Sequence, residues 1–150
     1  MDRITKRIFS RKALFFVVPI LVICVLMLSR RSELEASQIL DYCKSHNEIR
    51  LSEITEFDWD IAYVDRMPYS NGDVLKEKYG IEGEFEAMES DALSRIAFCK
   101  DKTLVYDLQL LSDYIEIDPS VEVINYDSVF DCVWISIPEY KAGTLLLTLK

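Results

Sequence analysis

Two carboxylates separated by one tryptophan, in the stretch "DWDIAYVDRMPYSNGD" (residues 58–73), are the residues of this chain whose types and spacing come closest to a catalytic pattern. If the stretch is extended, Asp58 and Asp60 emerge on one strand face roughly 6.5–7 Å apart, from a rise of about 3.3 Å per residue. That separation suits inverting glycoside hydrolysis, in which one carboxyl protonates the leaving oxygen and the other activates a water. The chemistry also needs surroundings that push the two pKa values apart. Two aspartates on the solvent side of one strand share a single environment, so they read as a solvated strand face. A carbohydrate-active enzyme built on them ranks last among the readings. The aromatic residues of the same stretch, Trp59, Tyr63 and Tyr69, are with Asp58 and Asp60 the candidate binding contacts. At strand alternation such rings are expected to be buried, each with one polar atom satisfied.

Other chemistry is sparse. His46, the sole histidine, sits in a polar linker without ligand partners nearby. The chain has four glycines and no phosphate-binding loop, nucleophile elbow, zinc pattern or dinucleotide fingerprint. The acidic run "EGEFEAMESD" (residues 82–91) lacks the alternating ligands and the glycine of a calcium loop and reads as a solvated connector. No enzyme, cofactor or metal is therefore expected.

The elements that must position these residues begin with a run that does not belong to a soluble core. Residues 13–29, "ALFFVVPILVICVLMLS", carry no charge; Arg3, Lys6, Arg7, Arg11 and Lys12 precede them and Arg30 and Arg31 follow. A backbone crossing lipid must satisfy its amides internally, and about 17–25 residues are needed to span as a helix. Residues 1–12 are thus a basic segment and 13–29 a single transmembrane helix, read as an uncleaved signal anchor in contact with the lipid bilayer. A cleaved signal peptide would want a shorter apolar run and a small-x-small site. Lipidation at Cys24 would want a small residue where Ile23 stands. Five basic residues on the N-terminal side against two on the other place the N-terminus in the cytoplasm and the rest outside it.

Charge is divided unevenly. Residues 1–31 carry seven Lys and Arg and one Asp, a net of +6, which leaves −15 for residues 32–150 against −9 for the whole chain. So acidic a domain repels nucleic acid and anionic lipid, which excludes a nucleic-acid-binding role and points to a partner with a basic face. Cys43, Cys99 and Cys132 remain in it, an odd number without metal spacing. Outside the cytoplasm, one disulfide and one free thiol are expected, with Cys99 and Cys132 as the pair because both fall in predicted strands. In the cytoplasm, three buried thiols would serve.

Residues 30–53 read as a juxtamembrane helix and linker, with Ser32 and Glu35 in capping-box spacing and Leu34, Ala36, Ile39, Leu40 and Cys43 at helical intervals. Residues 54–150 read as an acidic α+β domain. A strand runs from Phe57 to a stop at Met67-Pro68, and a short helix in "NGDVLKEKYG" is capped by Ser70 or Asn71 and stopped by Gly80. A hairpin turns at Asp101-Lys102, a short strand lies in "SVEVINY", and further strands lie in "SVFDCVWISI" and "TLLLTLK". The expected fold is one membrane helix followed by a small, mostly antiparallel sheet of about five strands with one or two helices.

Residues 54–110 resemble a group of small bacterial membrane-anchored or lipoprotein-like domains of unknown function. In that group a Phe-x-Trp-Asp-x-x-Tyr strand enters a Pro-Tyr turn and helix, followed by a Ser-Asp segment and a hairpin. The matching pieces are "FDWDIAYV" (57–64), "PYS" (68–70) and "ESDALSRIAFCKDKTLVYDL" (89–108). The resemblance implies a membrane-attached extracytoplasmic domain and supplies no activity, cofactor or catalytic residue. The chain departs from the pattern in lacking a lipidation box and in placing Lys102 where a glycine is common. The functional expectation is an interaction or accessory module at the cell envelope, or alternatively an immunity-type protein that neutralises a basic toxin.

Overall fold

Asp101 and Lys102 both adopt positive φ, 49° and 65°, and this reverses the chain between two of its longest strands. Two consecutive left-handed residues match the right-handed twist of the strands they join. In the computed structural model, which describes residues 34–136 and 143–150, that hairpin is the centre of an α+β fold. The elements are α1 (Ala36–Ser45), β1 (Glu48–Ile49), α2 (Leu51–Ile54), β2 (Ile61–Asp65), α3 (Asp73–Tyr79), β3 (Leu93–Lys100), β4 (Thr103–Leu111), β5 (Ile115–Ile117), β6 (Val123–Asn125), β7 (Phe130–Ile135) and β8 (Thr144–Leu149). The transmembrane helix expected at 13–29, and Pro138, expected to close a strand, lie outside the described residues. Among the described residues no helix is long and apolar enough to cross a membrane.

The strands form two four-stranded sheets in place of the single five-stranded one expected. One has the order β4-β3-β2-β6 and is antiparallel throughout; the other has the order β1-β7-β8-β5 and is antiparallel except for the β5–β8 pair. The two strands that escape sequence reading, β1 and β5, are two and three residues long. Ile115 and Ile117 lie in what reads as a polar link, and they acquire strand character only by pairing with Leu145 and Leu147.

Period two sorts each β2-β3-β4 side chain to one of two faces. Ala62, Val64, Ile96, Phe98, Leu108 and Leu110 point inward to meet Ile49, Phe130, Leu145 and Leu147 of the other sheet. Ile39 and Cys43 of α1 enter the same core, so the helix expected in a juxtamembrane segment contributes directly to the domain. The outer face of β2 and β3 carries Tyr63, Ala97 and Cys99, covered by Leu75 of α3 and by Ile81. Gly72 and Gly80, both at positive φ, cap α3 at its two ends.

The β3–β4 turn yields a test. An L-residue in the left-handed region costs about 1–2 kcal/mol, partly offset in glycine by backbone entropy. Lys102→Gly is therefore expected to raise stability by about 0.5–1 kcal/mol, read as a higher urea midpoint at unchanged slope.

Candidate functional site

The residues singled out from the sequence do not converge. β2 begins at Ile61, so Asp58 and Asp60 precede the strand expected to carry them. The alternation at 57–60 reflects a loop pinned by Trp59, whose Nε1 donates to Thr55 Oγ1 over 2.9 Å and whose buried ring packs on Phe98 and Tyr126. Asp58 is exposed and pairs with Lys100 at 3.4 Å, while an Asp60 oxygen accepts the Asp101 N–H at 3.2 Å. Tyr63 is buried and stacks with Tyr79, and burial raises its pKa. Tyr69 is 66% exposed.

The cysteines pair differently from the expectation. Cys43 on α1 is bonded to Cys132 on β7, with Cα atoms 5.7 Å apart, and Cys99 is the free thiol. Cys99 belongs to the outer face of β3 and Cys132 to the core side of the other sheet, so strand membership alone cannot bring them together. Burial pushes the Cys99 thiol up to about 12, which leaves it unreactive at neutral pH. His46 ends α1, stacked on Tyr42 at 4.1 Å.

The built site lies elsewhere, on the outer face of β2-β3-β4. Arg95 of β3 is fully buried there, directly opposite Asp65 of β2 and diagonal to Asp107 of β4. Its Nε lies 2.7 Å from Asp107 Oδ1, and its Nη1 lies 3.9 Å from Asp65 Oδ2. The Nε–Oδ1 contact is a close ion pair, whereas the Nη1–Oδ2 contact is longer than a hydrogen bond. Burial pushes the Asp107 carboxyl above the ordinary carboxylate range, a shift that the attraction of Arg95 and the hydrogen bond from the Glu86 N–H only partly offset.

This cluster holds two segments in place. Asp65 organises the turn after β2, accepting the Met67 N–H at 2.9 Å and the Ser70 hydroxyl at 2.5 Å, while Ser70 Oγ accepts the Gly72 N–H. That turn puts Tyr69 at φ 58°, a conformation bulky residues rarely adopt, and leaves Met67 and Tyr69 exposed. Asp107 and Arg95 together grip one peptide residue of the 82–91 segment: Asp107 Oδ2 accepts the Glu86 N–H at 3.1 Å and Arg95 Nη2 donates to the Glu86 carbonyl. The ion pair thus stands in for a strand partner.

The 82–91 connector is consequently a strap with a fixed path. At one end Glu82 bridges to Thr103, with Glu82 N–H to Lys102 O and Leu104 N–H to Glu82 O both at 2.8 Å. At the other, the Met88 N–H reaches the Ser70 carbonyl at 2.9 Å and its side chain is buried. Phe85 lies over Arg95, 5.0 Å from guanidinium carbon to ring centre, and against Gly72, where any Cβ would meet the Phe85 ring at 2.3 Å. Glu82, Glu84, Glu86, Glu89 and Asp91 remain exposed, with no basic residue from Gly80 through Ser94.

A shallow cleft of about 220 Å3 near Tyr42, Glu48 and Glu53 is less promising. Its carboxylates are already engaged, Glu53 by Tyr42 and Arg50 and Glu48 by Lys150. Among the described residues no three His, Cys, Asp or Glu side chains are grouped to hold a metal. No protein-family model, curated protein or solved structure matches the chain.

Asp65, Arg95 and Asp107 were missed by reasoning from the sequence, although a signal existed. Arg95 shares its strand face with Ala97 and Cys99, so a charge stands where the alternation predicts a covered side chain. Removing one member of a buried pair leaves the other uncompensated, so Arg95→Met is expected to cost about 3–5 kcal/mol in denaturant unfolding. Asp58→Ala with Asp60→Ala should stay within about 0.5 kcal/mol for each exposed site. Cys43→Ser and Cys132→Ser should each cost about 2–5 kcal/mol and the double variant no more than either, because all three remove one bond.

Proposed function

We propose that this chain is a single-pass membrane protein whose acidic extracytoplasmic domain binds a basic protein at the cell envelope, through the Tyr69 turn and the 82–91 strap. The carrying observation is the juxtaposition of these segments: an exposed Met67 and Tyr69 held one hydrogen bond away from a fixed row of five carboxylates. An aromatic anchor beside a charged rim is the usual anatomy of a protein interface. Fixing the backbone beforehand lowers the ordering cost of binding. The strained φ of Tyr69 supports the same reading, since strain that packing overcomes concentrates at functional positions.

Location is supported by two independent features. The uncharged run at 13–29, flanked by basic residues, is the anchor, and the Cys43–Cys132 bond belongs in an oxidising compartment. Of the residues named as contacts from the sequence, Tyr69 keeps that role, while Trp59 and Tyr63 serve the core. The reading fits a general accessory module and an immunity-type protein equally, since both need a basic partner; it gives no role to Asp58 and Asp60 in glycoside hydrolysis.

Tyr69→Gly separates binding from folding. Glycine adopts φ 58° without strain, so stability should be retained or gained by up to about 1 kcal/mol, while partner capture by the full-length protein should fall at least tenfold. Replacing Glu82, Glu84, Glu86 and Glu89 by Gln should weaken capture and flatten its salt dependence. Undiminished capture by both variants would overturn the assignment of this surface.

A further inference from the structure

We propose that β4 is a docking edge, on which an extended basic segment of the partner protein adds as a further strand beside the 82–91 strap. The proposal rests on the reading of the strap as a partner-binding face and names the form in which the partner is bound.

Each sheet ends in two edge strands, and an open edge is a template for pairing with another chain. Among the described residues three of the four edges are short: β1 has two residues, β5 three and β6 three. β4 has nine. Edges that must stay unpaired are commonly blunted by lysine or proline. The β4 sequence "TLVYDLQLL" contains neither, and its one charged side chain, Asp107, is turned to Arg95 and Glu86.

The strand register shows which backbone groups are on offer. The Ser112 N–H donates to the Ala92 carbonyl, so bonding toward β3 falls on the even-numbered residues at this end of β4. Alternation then turns the N–H and C=O of Asp107 and Gln109, and the N–H of Leu111, away from β3. The Leu111 carbonyl is taken by the Tyr114 N–H. Beyond the irregularity at Phe98 and Cys99, the outward Leu104 N–H already donates to the Glu82 carbonyl. The strap thus begins the strand that β4 lacks, and then leaves the edge to meet Asp107 at Glu86. Asp107–Leu111 stays open: among the described residues no backbone hydrogen bond reaches its outward groups.

Chemistry selects the occupant. A strand added here places alternate side chains on the outer face, where the strap presents Glu84 and Glu86, and the others on the side where Leu108 and Leu110 join the core. Lys102, in the turn, is the sole cation from Asp101 through Tyr114. Basic residues at every second position, with apolar residues between them, therefore complement this edge. A second copy of this chain would bring two sets of strap carboxylates together, and like charges oppose that pairing.

The test is residue-resolved amide hydrogen exchange of the full-length protein in detergent, with and without a blocked octapeptide of alternating lysine and valine. Without peptide, the Asp107, Gln109 and Leu111 amides are expected to exchange at least about tenfold faster than those of Leu108 and Leu110, which bond to β3. Millimolar peptide is expected to slow all three. A counterpart N-methylated at every residue, equal in charge but with no N–H to donate, is expected to leave them unchanged. Gln109→Pro removes one outward donor and no bond to β3, at a position where edge strands accept proline, so peptide affinity should fall about tenfold. Gln109→Lys keeps the backbone and should also weaken binding, through charge, should the proline variant fold poorly. The proposal is overturned if the peptide leaves the three amides unprotected, if the N-methylated peptide protects them equally, or if both Gln109 variants bind as tightly as the unaltered protein. Protection that rises with protein concentration alone would assign the edge to a second copy and overturn it too. Peptide that loses affinity when Glu82, Glu84, Glu86 and Glu89 become Gln, yet never protects the edge amides, sinks strand addition alone. Edge protection undiminished in that variant sinks the reading of the strap and leaves strand addition standing.

Discussion

Arg95 is the residue on which the arrangement of the outer face depends. A guanidinium buried on the central pair of a four-stranded sheet must be met by opposite charge and by acceptors, and no sheet hydrogen bond can supply either. Asp65 and Asp107 supply the charge from the neighbouring strands, and the Glu86 carbonyl supplies an acceptor from outside the sheet. Once those commitments are made, the chain after β2 must turn at Met67–Ser70 and the chain after α3 must cross the sheet on its way to β3. Replaced by a well-packed apolar residue with apolar neighbours, the same face would be dry and no less stable, but it would not determine where Glu86 lies.

The inner and outer faces of the β4-β3-β2-β6 sheet divide the labour. Phe98, Ile96 and Val64 face a core shared with the second sheet, where shape and volume decide the outcome. The outer face is thinner, with Tyr63, Ala97 and Cys99 under a seven-residue helix and a strap, and there electrostatic geometry sets the path of the chain. Arg66 extends this logic to the sheet's end: its Nη2 donates to the carbonyls of Ile117, Asp118 and Val121, tying β2 to the β5–β6 connection.

Much of the fold was legible in the sequence because its signals are local. The Asp101-Lys102 hairpin, the helix stopped at Gly80 and the strands in "SVEVINY", "SVFDCVWISI" and "TLLLTLK" each announce themselves within about ten residues. Strands β1 and β5 were not legible, since two or three residues cannot show a period and their partners lie far along the chain. The disulfide was misassigned for a related reason: which face a strand presents to which layer is a tertiary fact, and Cys99 and Cys132 fall in different layers. Within residues 58–73, Asp58 and Asp60 are conspicuous by spacing, whereas the structurally decisive aspartate is Asp65. Its importance depends on Arg95, thirty residues on.

The Cys43–Cys132 bond has a mechanical consequence. A covalent cross-link fixes where a load applied to the chain travels. Tension entering at Leu34 can extend only the residues up to Cys43 before it passes across the sulfur bridge to β7. Everything from Asn47 to Asp131, with the Tyr69 turn and the strap inside it, sits in a closed covalent loop and is spared from peeling in sequence. A pull between the two ends of the domain therefore bypasses the Tyr69 turn and the strap, and the segments outside the loop bear the strain.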